Sequence, residues 1–176
     1  MVAATTEAVF YWNQRQECMP RVQIEQYQLQ TLRKQLAYVR ERSPFYRRKL
    51  DAAGIRPDDI RSIEDVRRIP LTDKEDLRLS QAANPPWGDF GCITPKEAVR
   101  VFQTSGTTGP PVRIMLSRKD WHETFYEQFM HFRCGFGLTE DDVLFVPFNY
   151  GLYIAWWGFQ TTMEKAGLMI IPGGGL

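Results

Sequence analysis

Hydrophobic positions in the first part of the chain recur at helical spacing. Leu29, Leu32, Leu36 and Val39 follow at steps of three and four, which places them on one face of a helix. Met19-Pro20 suits its start, because proline is tolerated in a first turn. Ser43-Pro44 ends it, since the residue before proline avoids the helical region. A second helix is predicted over 44–53, closed by Gly54. A polar, turn-rich stretch over 55–70 follows, with a short helix at 63–67. Thr72-x-x-Glu75 has the capping-box pattern and predicts a helix to about Leu79. Asn84-Pro85-Pro86-Trp87-Gly88 reads as a loop. Thr94-Pro95-Lys96-Glu97 reads as a single capped turn.

The second half changes period. Residues 99–103 are β-prone and 112–116 form a returning strand, so the polar loop between them joins two antiparallel strands. Ser117-x-x-Asp120 caps a helix whose Trp121, Phe125, Phe129 and Phe132 share a face, and Gly135 or Gly137 stops it. A buried strand over 143–148, a helix over 153–166 and a strand over 168–171 make a βαβ unit, hence parallel strands. The expected fold class is α/β, with a mainly helical region over 1–92 and a mixed or parallel sheet with flanking helices beginning in 93–176.

Composition narrows the class. The chain has 176 residues, 43% hydrophobic and 13% aromatic, which supports a globular core and argues against disorder. Lys+Arg number 22 against Asp+Glu 21, for a net charge of +1, and this balance offers no nucleic-acid surface and no polybasic membrane patch. Arginines crowd positions 33–68, but the acids interleaved among them read as a solvated helical face. Cys18, Cys92 and Cys134 are far apart and odd in number, with no CxxC, so they predict no structural zinc and fit a reducing compartment. His122 and His131 lack a carboxylate at metal-ligand spacing. Neither a signal-peptide pattern nor an apolar run of membrane-spanning length occurs. Cytoplasmic localisation, with no membrane partner, is the expectation.

The segment that carries chemistry is Thr104-Ser105-Gly106-Thr107-Thr108-Gly109. It offers hydroxyls, backbone N–H groups and little bulk, which is what a loop needs to wrap a polyphosphate. Glycine permits positive φ and close approach, successive N–H groups form an anion nest, and hydroxyls add donors. It is not a Walker A loop, because Pro110 and Pro111 follow where a lysine and a helix would be needed, and it is not G-x-G-x-x-G. The two prolines stiffen its exit. Its place at the end of an apolar strand strengthens a functional reading.

With Pro110-Pro111 appended, this segment resembles the phosphate-binding signature of the acyl-adenylate-forming enzymes, and within them the phenylacetate–CoA ligases. Tyr11-Trp12-Asn13, Ser43-Pro44-Phe45-Tyr46-Arg47-Arg48, Leu71-Thr72-Asp73-Lys74-Glu75-Asp76-Leu77, Asn149-Tyr150-Gly151-Leu152-Tyr153 and Ile171-Pro172-Gly173-Gly174 resemble further segments of that family, in the same order. The resemblance implies a two-step ligase using ATP, Mg2+ and coenzyme A. A carboxylate attacks the α-phosphate of ATP, releasing pyrophosphate, and the coenzyme A thiol then displaces AMP from the acyl-adenylate. By motif position, Thr104, Ser105, Gly106, Thr107, Thr108 and Gly109 carry over as the phosphate cradle, and Tyr150 and Gly151 as a wall of the pocket for a small aromatic acid.

The chain departs from the family in two places. Pro110 stands where it often has lysine, leaving Arg113 as the nearest cation, and Ala155-Trp156-Trp157 adds large rings after the tyrosine–glycine segment. The family's chains are more than twice this long. Its adenine and ribose contacts, acidic magnesium ligand and catalytic lysine have no matching position here. The resemblance therefore implies an N-terminal portion, incompetent for adenylation alone, with catalytic residues expected beyond Leu176 and with a homo-oligomer or a complementing C-terminal piece as partner. An adenylyltransferase acting on a carboxylate-bearing cofactor, and a non-catalytic interaction module, are the alternative readings.

Overall fold

The computed structural model describes residues 10–106 and 109–174. In chain order the elements are α1 (Gln14–Glu17), α2 (Arg21–Arg42), α3 (Pro44–Ala52), 3-10 turns at Pro57–Asp59 and Ile63–Arg68, α4 (Lys74–Ala83), β1 (Ala98–Gln103), β2 (Arg113–Ser117), a π turn (Asp120–Thr124) running into α5 (Phe125–Gly135), β3 (Val143–Val146), α6 (Ile154–Lys165) and β4 (Met169–Pro172). This is the expected α/β class: helices first, then small sheets with flanking helices. The chain forms two compact units, 19–119 and a second made of the N-terminal segment with 120–174. That division and the expected boundary at 92/93 are different, because the β1–β2 pair belongs with the helical unit.

In the 19–119 unit the predicted α2 face forms. Leu36 is buried with Leu50, Ile55 and Ile60, and Leu29, Leu32 and Val39 pack at the margin. Ser43 ends α2 and caps α3, its hydroxyl accepting from Tyr46 N–H at 3.3 Å and donating to the carbonyls of Asp89 and Phe90 at 3.1 Å. Pro44 occupies the first turn of α3, where a missing N–H costs nothing. Gly54 follows with φ +64°, the left-handed C-terminal position.

α4 differs from the pattern in two ways. Its cap is Asp73, not Thr72. The Asp73 carboxylate accepts from Asp76 N–H at 2.8 Å, and Asp76 returns the bond to Asp73 N–H at 3.3 Å. An aspartate pair one residue along therefore closes the capping box. The helix also runs past Leu79 to Ala83, because Ser80 and Gln81 are buried in its last turn and hydrogen-bonded to other segments. β1 and β2 pair antiparallel as expected, Phe102 opposite Ile114 and Gln103 opposite Arg113, with a bulge near Val99.

In the other unit, α1 is a single helical turn absent from the sequence expectation, capped by Asn13. The N-terminal segment docks on α5. Trp12 donates from Nε1 to Glu127 at 2.7 Å and meets Tyr126 edge-on, and Glu17 lies 3.0 Å from His131. α5 and α6 pack through phenylalanine rings and a glycine. The rings of Phe125 and Phe129 lie where a Cβ on Gly158 would go. β3, α6 and β4 form the predicted parallel unit, Val143 beside Met169 and Val146 beside Pro172.

The expectation that β3 is buried over 143–148 is corrected. The strand ends at Val146, and Val143 and Phe145 are half exposed. The sheet has two strands, and α6 packs on β4, so the alternate residues Val143, Phe145, Met169 and Ile171 keep an open apolar face.

Candidate functional site

The glycine-rich loop connects β1 to β2. Thr104 latches its base, its N–H donating to Val112 O and its Oγ1 accepting from Val112 N–H, both at 3.0 Å. Val112 is itself buried, so the mouth of the loop is anchored in the unit's interior. Ser105 is exposed at the start of the turn. Gly106 has φ +72° and Gly109 φ +150°, conformations that side chains rarely adopt, and Gly109 N–H donates to Gly106 O at 3.3 Å. Thr104, Ser105, Gly106 and Gly109 are thus brought together in one tight connection. Thr107 and Thr108 lie outside the described residues.

Beside the loop is an open cleft of about 480 Å3, lined among others by Glu75, Arg78, Gln81, Gly109, Pro110 and Arg113. Two arginines enter it. Arg113 shares this wall with Gly109, so strand alternation does not carry it away from the loop, and its guanidinium donates to Pro86 O at 3.4 Å. Arg78 comes from α4, in a segment the loop motif does not include. Its Nε donates to Pro110 O at 3.0 Å, and its guanidinium lies against Gly109. Gln81, one turn on, donates to Pro111 O at 3.1 Å and accepts from Arg113 N–H at 2.9 Å. Neither residue was singled out from the sequence. Pro110-Pro111 signals only that two N–H donors are missing at the loop exit, and does not say which side chains bond the carbonyls there.

Tyr150 and Gly151 lie in the other unit, after β3. Gly151 has φ +46° and its carbonyl accepts from Trp157 Nε1 at 2.9 Å. The Tyr150 ring packs on Trp157 with centroids 4.9 Å apart, and Phe148 stacks on Trp156 at 4.6 Å with the ring planes nearly parallel. The two tryptophans therefore fold back from α6 onto the 148–151 segment. The Tyr150 hydroxyl is buried without a hydrogen-bond partner among the described residues. Burial first, and the Glu164 carboxylate second, push its pKa above the usual tyrosine value. It is a neutral O–H donor with an unused hydrogen bond among the described residues. Gly174 lies against the backbone of Phe148 and Asn149, and Gly173 N–H donates to Val146 O at 2.9 Å. These groups gather at the carboxyl ends of two parallel strands, where ligands bind in open α/β sheets.

Among the described residues no group of three or more His, Cys, Asp or Glu is placed to hold a metal ion, and no helix is long and apolar enough to cross a membrane.

Curated proteins are similar to this sequence. A phenylacetate–coenzyme A ligase of Thermus thermophilus is 35% identical over 159 residues, covering 90% of this chain and 34% of the relative. One from Escherichia coli is 33% identical over 153 residues, covering 87% and 34%. The chain is a relative of the phenylacetate–coenzyme A ligases. It spans about a third of the length of the curated relatives it matches. A solved 2-hydroxyisobutyryl-CoA ligase, in complex with 2-HIB-AMP and CoA, superposes with a TM-score of 0.88 at 34% identity, over 97% of this chain and 36% of that one. The same ligase in its postadenylation state, with 2-HIB-AMP, gives 0.87 at 34% identity. No protein-family model matches the chain.

Proposed function

We propose that this chain supplies the nucleotide-phosphate loop and part of the acid pocket of an ATP-dependent, AMP-forming acid–CoA ligase. The observation that carries the reading is the 104–109 connection. A hydroxyl-rich turn is latched at its base by Thr104, and its two described glycines hold positive φ. Pyrophosphate leaving the α-phosphate carries concentrated negative charge, and donors fixed in place stabilise that charge without reorganising. In this reading Thr104, Ser105, Gly106, Thr107, Thr108 and Gly109 form the cradle. Thr104 Oγ1 accepts from Val112 N–H and keeps its O–H proton to donate to a phosphate oxygen. Magnesium would share the neutralisation of the phosphates. Mg2+ is commonly held by one or two carboxylates plus substrate oxygens, and no ligand for it is assigned among the described residues.

Tyr150 and Gly151 form one wall of the acid site in this proposal. The aromatic lining by Phe148, Trp156 and Trp157 supports an acid carrying a ring. Coenzyme A is the second-step acceptor, and the setting is cytoplasmic. The open β3–β4 face is the surface assigned to a complementing ligase segment, this chain being about a third of the relatives' length.

Calorimetric titration of the chain with MgATP, and separately with inorganic pyrophosphate, tests the cradle. Saturable binding of both, lost in Thr107→Ala and Thr108→Ala, is expected. Binding left intact by both substitutions removes the assignment.

A further inference from the structure

The exit of the loop poses a donor problem. Pro110 and Pro111 have no N–H, so this stretch cannot form an ordinary ladder, yet its carbonyls still require partners. Helix α4 solves it with side chains. Arg78 Nε reaches Pro110 O at 3.0 Å, Gln81 Nε2 reaches Pro111 O at 3.1 Å, and Gln81 Oε1 takes the Arg113 N–H at 2.9 Å. The buried Gln81 amide thus pairs with the backbone on both sides of Val112 as a neighbouring strand would. The Arg78 guanidinium completes the brace by lying against Gly109. A Cβ at that glycine would stand 3.1 Å from Cζ and 3.3 Å from each terminal nitrogen. Glu75 Oε2 accepts from Arg78 Nη1 at 3.3 Å and orients the plane.

We propose that Arg78 and Gln81 are positioning residues for the phosphate loop, fixing the chain from Gly109 to Arg113 so that the loop's donors keep their aim. The proposal rests on the reading of the loop as a polyphosphate cradle. Arg78 acts through the backbone it holds rather than by touching phosphate, and Gln81 through Pro111 and Arg113. Preorganised donors are effective because they do not move when charge arrives. A loosened exit costs affinity without removing any donor.

The test is calorimetric titration of inorganic pyrophosphate into the wild-type chain and its Arg78→Ala, Arg78→Lys and Gln81→Ala variants, with amide hydrogen exchange followed residue by residue. Wild type is expected to bind. Each variant should bind about tenfold more weakly, a cost of about 1.4 kcal/mol in preorganisation. Exchange at Arg113 should quicken in Gln81→Ala while the middle of β2 stays protected. Arg78→Lys should remain weak, because lysine keeps the charge but has no planar fork to lie on Gly109 and donate sideways. Full rescue by Arg78→Lys would overturn the positioning role in favour of simple charge. Wild-type affinity in all three variants, or unchanged Arg113 exchange in Gln81→Ala, would overturn the brace while leaving the cradle standing. A wild-type chain that does not bind pyrophosphate would remove the cradle, and this inference with it. Should Arg78→Ala unfold the hairpin, Arg78→Lys and Gln81→Ala carry the decision.

Discussion

Two glycines show how single positions set the packing in opposite directions. Gly158 sits inside α6, where glycine is worth roughly 0.5–1 kcal/mol less than alanine. It is there because a Cβ would stand 2.7 Å from the Phe129 ring and 3.2 Å from that of Phe125. Phe129 would have to give up ring contacts with Phe125, Phe132 and Phe159 to step aside. Overpacking a closed site costs about 1–3 kcal/mol, which exceeds the propensity gain. Gly158→Ala should therefore destabilise the chain by about 1 kcal/mol. Gly135, the last residue of α5, has open space at its Cβ and no positive φ. Gly135→Ala should stabilise by up to about 1 kcal/mol. Urea denaturation of the two variants reads the opposite signs. Phe129→Leu combined with Gly158→Ala should recover part of the loss, since the clash is with that ring. Two variants shifting the same way would contradict this account of the α5–α6 contact.

α4 links capping, pH dependence and the candidate site. Asp76 holds the capping box and pairs with Lys49, and its pKa lies below the ordinary aspartate value, through the Lys49 hydrogen bond first and Asp73 N–H second. Asp65 and Glu97 are lowered in the same direction, Asp65 by the N–H groups of Arg61 and Ser62, Glu97 by Thr94. A carboxylate whose folded pKa is depressed stabilises the fold fully above its unfolded value. That contribution is lost as pH falls through the folded value. The 19–119 unit should hold constant stability at neutral pH and lose it through the acid range below ordinary carboxylate values. Asp76→Asn should lower stability at pH 7 and make the acid loss shallower, as urea midpoints at neutral and acid pH would show; parallel pH curves for the two proteins would refute the linkage. The same helix marks where sequence pattern stops being informative. The faces of α2 and α5, the β1–β2 hairpin and the parallel unit were legible because apolar residues recur at fixed steps. The end of α4 was not, since Ser80 and Gln81 are buried polar residues whose partners break no apolar rhythm. The glycine-rich loop was legible because it is contiguous. Arg78 and Gln81 were not, because they act from about thirty residues upstream on carbonyl oxygens, which every residue has.

At the scale of the whole chain, the β3–β4 sheet is built for more cover than it has. Strands of parallel sheets are ordinarily buried on both faces. Here Leu144 and Val146 face inward, and Val146 is fully buried. The register sets Val143 beside Met169 and Phe145 beside Ile171, and these four are 44–58% exposed. Side by side they make a continuous apolar surface of the kind soluble proteins seldom leave open. Scattered exposed residues such as Leu71 and Val22 carry no such meaning, since they are not registered into one face. A dye that reports ordered apolar surface, such as ANS, should bind the native chain at neutral pH, with binding persisting until thermal unfolding. Val143→Glu with Met169→Lys places opposite charges on directly neighbouring positions of that face. The pair should abolish most of the fluorescence without lowering the melting temperature, because neither side chain contributes to the inward packing. If the double variant keeps the wild-type fluorescence, the dye is reporting some other surface. If the wild-type chain binds none, the face is already covered in solution, and sedimentation at rising concentration would show whether a second copy covers it.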